Sequence, residues 1–104
     1  MDFRVDFEEK EEIIIRPVGE LDVFTTPELK KEVLRLYENN KKDIVIDGTD
    51  LEYVDSTGLG AFMYILNEIK VDNHKIYIEN MKPSIQKLFT ITKLDQIFKK
   101  RGED

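Results

Sequence analysis

The chain contains no cysteine and no tryptophan, and it has a single histidine. Without cysteine there is no disulfide, no thiolate metal ligand and no thiol nucleophile. One histidine, His74, with scattered carboxylates does not make a zinc constellation. Asp47, Asp50 and Asp55 are close in sequence but lack the glycine and final glutamate spacing of a calcium loop. Gly58-Leu59-Gly60 is not followed by the Gly-Lys-Ser/Thr of a nucleotide-binding loop. No metal and no cofactor is therefore expected. Long apolar runs are also missing: none approaches the ~20 residues of a membrane span. Met1 is followed by charged residues with no apolar stretch, so the expectation is a cytoplasmic protein without a signal peptide or membrane contact.

What is present is enough for one core. The 104 residues are 40% hydrophobic, with no internal repeat or linker, and read as a single domain over 1–104. Acidic residues number 22 against 16 basic ones, for a net charge of −6. That balance disfavours nucleic acid, whose affinity depends on cationic side chains meeting phosphates. The cluster Lys99-Lys100-Arg101 is followed by Glu103 and Asp104 and reads as a solvated chain end.

Hydrophobic periodicity predicts the elements. Phe3, Val5 and Phe7 alternate with Asp2, Arg4 and Asp6, as in a half-exposed strand. A charged turn over 8–12 leads to a second strand from Ile13 to about Pro17-Val18, forming an antiparallel hairpin. Gly19-Glu20-Leu21-Asp22 reads as a loop. Thr26 with Pro27 is a helix start, and Thr25 with Glu28 offers a competing capping box. Leu29, Val33, Leu36 and Tyr37 give that helix its apolar face, and Asn39-Asn40 closes it.

Ile44 to Asp47 reads as an inner strand, and Asp55 to Gly60 as a turn. A second helix then runs to about Lys70, with Leu59, Phe62, Met63, Leu66 and Ile69 on one face. A polar turn at 71–74, a strand at Ile76-Tyr77-Ile78 and a helix opened by Pro83 follow, with Ile85, Leu88 and Phe89 inward. Leu94, Ile97 and Phe98 predict a last short element that docks the C-terminus. The order β-β-α-β-α-β-α is an α/β pattern requiring parallel, right-handed crossovers. The expected fold is a small mixed sheet of about four to five strands flanked by about three to four helices.

The most informative stretch is Val54-Asp55-Ser56-Thr57-Gly58-Leu59-Gly60. It sets a hydroxyl pair at or beside the start of the second helix, where backbone N–H groups are unpaired. Ser56 is there either a structural cap or a surface group offered to another protein. A hydrolase elbow would need glycine two residues before the serine, where this chain has Val54, and a general base, usually histidine, of which the chain has only His74, in a polar turn. No catalytic residue is assigned. Gly60, Ala61 and Tyr64 fall at the margin of the helix face: small residues and one aromatic, suited to a partner's close approach or to internal packing.

These residues resemble the bacterial anti-sigma factor antagonists, a family of STAS-domain proteins. Gly19-Glu20-Leu21-Asp22 resembles the family's loop after the second strand. Ile44 to Asp47, Leu51 and Val54 to Gly60 resemble its central block. Pro83-Ser84-Ile85, Leu88-Phe89 and Leu94 to Phe98 resemble its C-terminal pattern. The resemblance covers almost the whole chain and implies a single STAS-like domain. It implies that the unphosphorylated protein binds an anti-sigma factor with serine kinase activity and frees a sigma factor. The kinase then phosphorylates Ser56, which ends binding, and a serine phosphatase restores it. Asp22 and Asp55 would lie near the acceptor, with Thr57 and Gly58 at the helix start. Contacts with the partner or kinase would come from Asp22, Asp55, Thr57, Gly58, Leu59, Gly60 and Tyr64. The alternative is a non-switching or stressosome-type STAS scaffold in which Ser56 only caps the helix. Two departures from the family pattern stand out. Gly48 occupies a strand position that is commonly apolar, which predicts an early strand end or a bulge. The 71–74 turn lacks a glycine pair, although Asn73 tolerates a left-handed conformation.

Overall fold

The computed structural model of the chain describes residues 3–101. Asp2, Glu103 and Asp104, used in the sequence reading, lie outside them. Strand β1 (Arg4–Glu9) pairs antiparallel with β2 (Ile13–Leu21), from Arg4 opposite Val18 to Glu9 opposite Ile13, as the alternation predicts. Phe3 and Val5 pack on the core, but Phe7 is 44% exposed, because β1 is an edge strand with a neighbour on one side only.

β2 does not stop at Pro17-Val18: the predicted loop 19–21 is strand. The backbone N–H groups of Ile13 and Gly19 donate to the Asp43 and Asp50 carbonyls, so odd-numbered N–H groups of β2 face the same neighbouring edge. On that edge β2 pairs in parallel first with β3 (Ile44–Asp47), through residues 13–15, and then with β4 (Leu51–Val54), through residues 19–21. Pro17 falls between the two pairings, where its missing N–H costs no ladder bond. Gly19 (φ 113°) adopts a backbone that side chains disfavour, and the register shifts between Gly19 and Glu20. β4 itself was not predicted. Leu51-Glu52-Tyr53-Val54 is buried only at its ends and so shows no period of two.

Helix α1 (Thr26–Asn39) follows, with Leu29, Val33, Leu36 and Tyr37 buried as expected. Thr25 sits at its cap position, but its hydroxyl donates to the Glu20 carbonyl (2.8 Å) rather than capping. Helix α2 (Ser56–Ile69) begins where a turn to Gly60 was predicted, and Ile65 joins its inward face. A short 3-10 turn, Lys70–Asp72, ends at Asn73 in the left-handed conformation (φ 65°). Strand β5 (Ile76–Glu79), helix α3 (Pro83–Ile91), a second 3-10 turn (Leu94–Gln96) and strand β6 (Lys99–Lys100) complete the chain.

The sheet order is β1-β2-β3-β5-β6, with β4 paired to β2 off this path: among the described residues, six strands and three α-helices. The extra strands are the short β4 and β6. Lys99-Lys100-Arg101 is thus not a loose end. Lys99 and Lys100 pair with Tyr77 and Ile78, and the Arg101 N–H donates to the Ile78 carbonyl. Gly48 does end β3, and it permits close contact: a Cβ there would lie 2.5 Å from the Met81 sulfur and 3.1 Å from the Met81 Cα.

All three helices cover one face. Ile13, Ile15, Ile44, Ile46, Ile76 and Ile78 point there, into a single core with the buried faces of the helices. Phe62, Phe89 and Phe98 meet at centroid distances of 5.9–6.5 Å, so Phe98 docks the C-terminal segment while Ile97 stays exposed. By alternation, Ile14 and Val45 lie on the opposite face, which carries ion pairs. Arg16 bridges Asp47 (3.0 Å) and Glu8 (3.2 Å), and Arg101 bridges Glu12 (2.5 Å) and Glu79 (3.5 Å).

Asp47 is buried at the end of β3. Burial pushes its carboxyl upward, but bonds from the Thr49 hydroxyl (2.6 Å) and N–H (3.0 Å), Asn80 and Arg16 outweigh that and hold it below the ordinary value. A carboxylate with a lowered folded-state value stabilises fully above its unfolded value and loses that contribution as pH falls through the folded one. Asp47→Asn is therefore expected to cost about 2–3 kcal/mol at pH 7, by breaking a largely buried charged network. Urea unfolding at pH 7 and pH 3 should show the gap to the wild type narrowing in acid; an equal gap at both would contradict this account.

Candidate functional site

The site is assembled where two parallel strands end side by side. Leu21, last in β2, pairs with Val54, last in β4, and the Asp55 N–H donates to the Leu21 carbonyl (3.3 Å). Asp22 and Asp55 are thereby neighbours, though 33 residues apart in the chain. Each leads directly into a connection to a helix that packs against the other, α1 against α2.

Asp55 is the N-cap of α2. Its Oδ1 accepts from the Gly58 N–H (3.1 Å), and its carbonyl accepts from the Leu59 N–H (3.0 Å). This satisfies one of the unpaired donors of the first turn. Ser56 is the first helical residue; it is exposed, and its hydroxyl has no hydrogen-bond partner among the described residues. Of the two readings open in the sequence, cap or surface group, the capping task falls to Asp55. Thr57 is exposed beside it.

Gly58 and Leu59 turn inward. A Cβ on Gly58 would lie 2.8 Å from Val54 Cγ1 and 3.0 Å from the Leu21 carbonyl oxygen, so the bare backbone is what lets α2 start against the β2 end. Leu59 belongs to the core. Gly60 faces outward one turn from Ser56, and a Cβ there would meet nothing within 4 Å. Tyr64, one turn further, is 46% exposed, with the Lys30 ammonium 4.7 Å from its ring centroid. Ala61, the other margin residue, is buried.

The Asp22 carboxylate shapes the loop before α1. Its Oδ1 accepts from the Phe24 N–H (2.9 Å) and the Thr25 N–H (3.2 Å), a closed turn of the kind aspartate favours. The turn holds Phe24 out at 87% exposure, with Val23 also exposed. Sequence reasoning passed over Val23, Phe24, Lys30 and Tyr53. The usable signal was two apolar residues between a strand and a helix start, claimed by neither periodicity.

His74 is remote from Ser56. It lies beyond the opposite end of the 14-residue α2, about 20 Å away at 1.5 Å per residue. There its Nδ1 is 2.7 Å from the Tyr37 hydroxyl, which also donates to Asp72 (2.9 Å). Burial, then the Asp72 carboxylate, pushes the Tyr37 hydroxyl well above its ordinary value, so Tyr37 stays a neutral structural donor. Among the described residues no group of three or more histidine or acidic side chains could hold a metal ion, and no helix is long and apolar enough to cross a membrane.

With this geometry in place, comparison with known proteins is informative. The STAS domain family model matches residues 4–103. An anti-sigma-B factor antagonist of Staphylococcus aureus is 35% identical over 79 residues, spanning 76% of this chain and 73% of its own. The crystal structure of an anti-sigma factor antagonist from Mycobacterium paratuberculosis superimposes with a TM-score of 0.81 at 18% identity, over 97% of this chain and 86% of that one. The Bacillus cell fate determinant SpoIIAA in its phosphorylated form gives 0.70 at 20% identity, over 98% and 93%, and at these identities both structures speak for the fold alone.

The two glycines of α2 should respond oppositely to alanine. Gly60→Ala, at an open helical position, is expected to stabilise by about 0.5–1 kcal/mol. Gly58→Ala forces a contact with main chain and should destabilise by about 1–2 kcal/mol. Thermal unfolding of the two variants checks this; a destabilised Gly60→Ala would mean that the exposed face is internally constrained.

Proposed function

The chain belongs to the STAS domain family, among its anti-sigma factor antagonists, and on that premise we propose that it is a reversible protein-binding switch read at Ser56. Unphosphorylated, it binds an anti-sigma factor that is also a serine kinase, and a sigma factor is released for transcription. The kinase transfers a phosphoryl group to the Ser56 oxygen, the complex dissociates, and a serine phosphatase resets the switch. The protein acts by binding, and no side chain is assigned a catalytic role. The observation that carries this reading is the free, exposed hydroxyl of Ser56 at the first position of α2, with Asp55 already serving as cap.

The energetics favour a local switch. A phosphoryl group adds about −1.5 to −2 charges. A helix N-terminus accommodates an anion, by roughly 0.3–1 kcal/mol, so the fold tolerates the modification. The penalty falls on the complex, where the dianion would be desolvated beside Asp55 and near Asp22. A cost of ~3 kcal/mol there lowers affinity more than 100-fold. No large conformational change is required. The surface that a partner can touch comprises Asp22, Asp55, Ser56, Thr57, Gly60 and Tyr64, while Gly58 and Leu59 act beneath it by seating the helix.

Intact-mass spectrometry with ATP and the organism's anti-sigma kinases, taken one at a time, tests the assignment. A single added phosphate, absent from Ser56→Ala, is expected. Ser56→Ala should bind the kinase constitutively, and the phosphorylated chain should bind at least 100-fold more weakly. A chain that binds such a kinase but never accepts phosphate would instead be a scaffold.

A further inference from the structure

Two features beside Ser56 are unfavourable for the isolated protein and have no internal explanation. Phe24 leaves nearly all of its ring in water, although the Asp22 turn fixes its backbone. Gly60 places a glycine in the interior of a 14-residue helix, where its backbone does not take a positive φ and open space lies above it. Glycine there weakens the helix relative to alanine, and an exposed phenylalanine contributes no burial. Neither is required for packing, in contrast to Gly58 and Leu59.

Both lie at the same end of the molecule. Phe24 is held by Asp22, whose neighbour across the strand ends is Asp55, the cap of α2. Gly60 is one turn from Ser56 on α2, and Lys30 of α1, the helix that follows the Phe24 loop, reaches the Tyr64 ring. A body that covers Phe24 and Gly60 together therefore also reaches the junction of Asp22 and Asp55 at which α2 begins with Ser56.

We propose that Phe24 is the specificity-determining contact for the anti-sigma factor, which receives the Phe24 ring in an apolar pocket while laying its backbone against α2 at Gly60. The inference rests on the antagonist reading and deepens it. Aromatic side chains seated in desolvated pockets dominate the energetics of protein interfaces. A residue without a Cβ allows main chain to approach where any side chain would hold it off. Phe24 supplies affinity and discrimination, Gly60 supplies fit, and the phosphate on Ser56, at the start of the same helix as Gly60, supplies the off signal.

The test is calorimetric titration of the full unphosphorylated chain with each purified anti-sigma factor of the same organism, without ATP. For the one that binds, Phe24→Ala should weaken binding about 30-fold, the equivalent of about 2 kcal/mol. Gly60→Ala should weaken it about tenfold while its thermal midpoint rises, which separates lost fit from lost folding. Val71→Ala, 77% exposed beyond the far end of α2, should bind as the wild type does. If the wild type binds and both Phe24→Ala and Gly60→Ala bind equally well, these contacts are refuted and the antagonist reading stands. A wild-type chain that binds none of the anti-sigma factors refutes both. Self-association abolished by Phe24→Ala would overturn the inference in favour of a second copy as occupant.

Discussion

The candidate site depends on the parallel pairing of the last residues of β2 and β4. Leu21 opposite Val54, with the Asp55 N–H on the Leu21 carbonyl, brings together two chain segments that are far apart in sequence. That contact sets the Asp22 turn beside the start of α2. It is close enough that only a glycine at position 58 fits between the helix and the strand end. The cap, the exposed Ser56 hydroxyl and the exposed loop are consequences of this junction.

The pairing in turn depends on how β2 shares one edge between two partners. β3 and β4 follow one another along it, separated by Gly48-Thr49-Asp50. Pro17 occupies the gap between them, and Gly19 takes up the change of register. Asp47 secures the point where β3 leaves, through Arg16 from the β2 side, its own loop at Thr49, and Asn80 after β5. A buried carboxylate with this many donors fixes loop geometry, and it does so on the sheet face away from the helices. The helix-covered face and the charged lattice that braces the sheet are thus separated by the thickness of one sheet.

Within the site, tasks divide among adjacent residues. Asp55 caps, Gly58 permits approach, and Leu59 anchors into the core, which leaves Ser56, Thr57 and Gly60 on the surface with no structural duty. Under the proposed function, a phosphate added at such a residue would change binding without unfolding the helix. The single histidine takes no part, since it is engaged with Tyr37 beyond the other end of α2.

The long amphipathic helices, the β1–β2 hairpin and the β-branched strands were legible in the sequence, because periodic burial of apolar side chains is a local property. The motif around Ser56 was legible as well, as was the left-handed Asn73. The extension of β2 was not, since Gly19 and Glu20 carry loop chemistry and become strand only when β4 arrives. β4 and β6 were not, because Leu51-Glu52-Tyr53-Val54 is buried only at its ends and Lys99-Lys100 carries no apolar residue, whereas the equally short β3 and β5 are runs rich in β-branched residues. The role of Asp55 as cap and the inward turn of Gly58 and Leu59 emerged from packing, as did the exposure of Phe24. The sequence by itself determined the fold class and the candidate acceptor, through patterning and a specific motif. The tertiary structure alone decided which motif residues face solvent and which loop joins them, because both follow from a parallel contact between residues 33 apart in the chain.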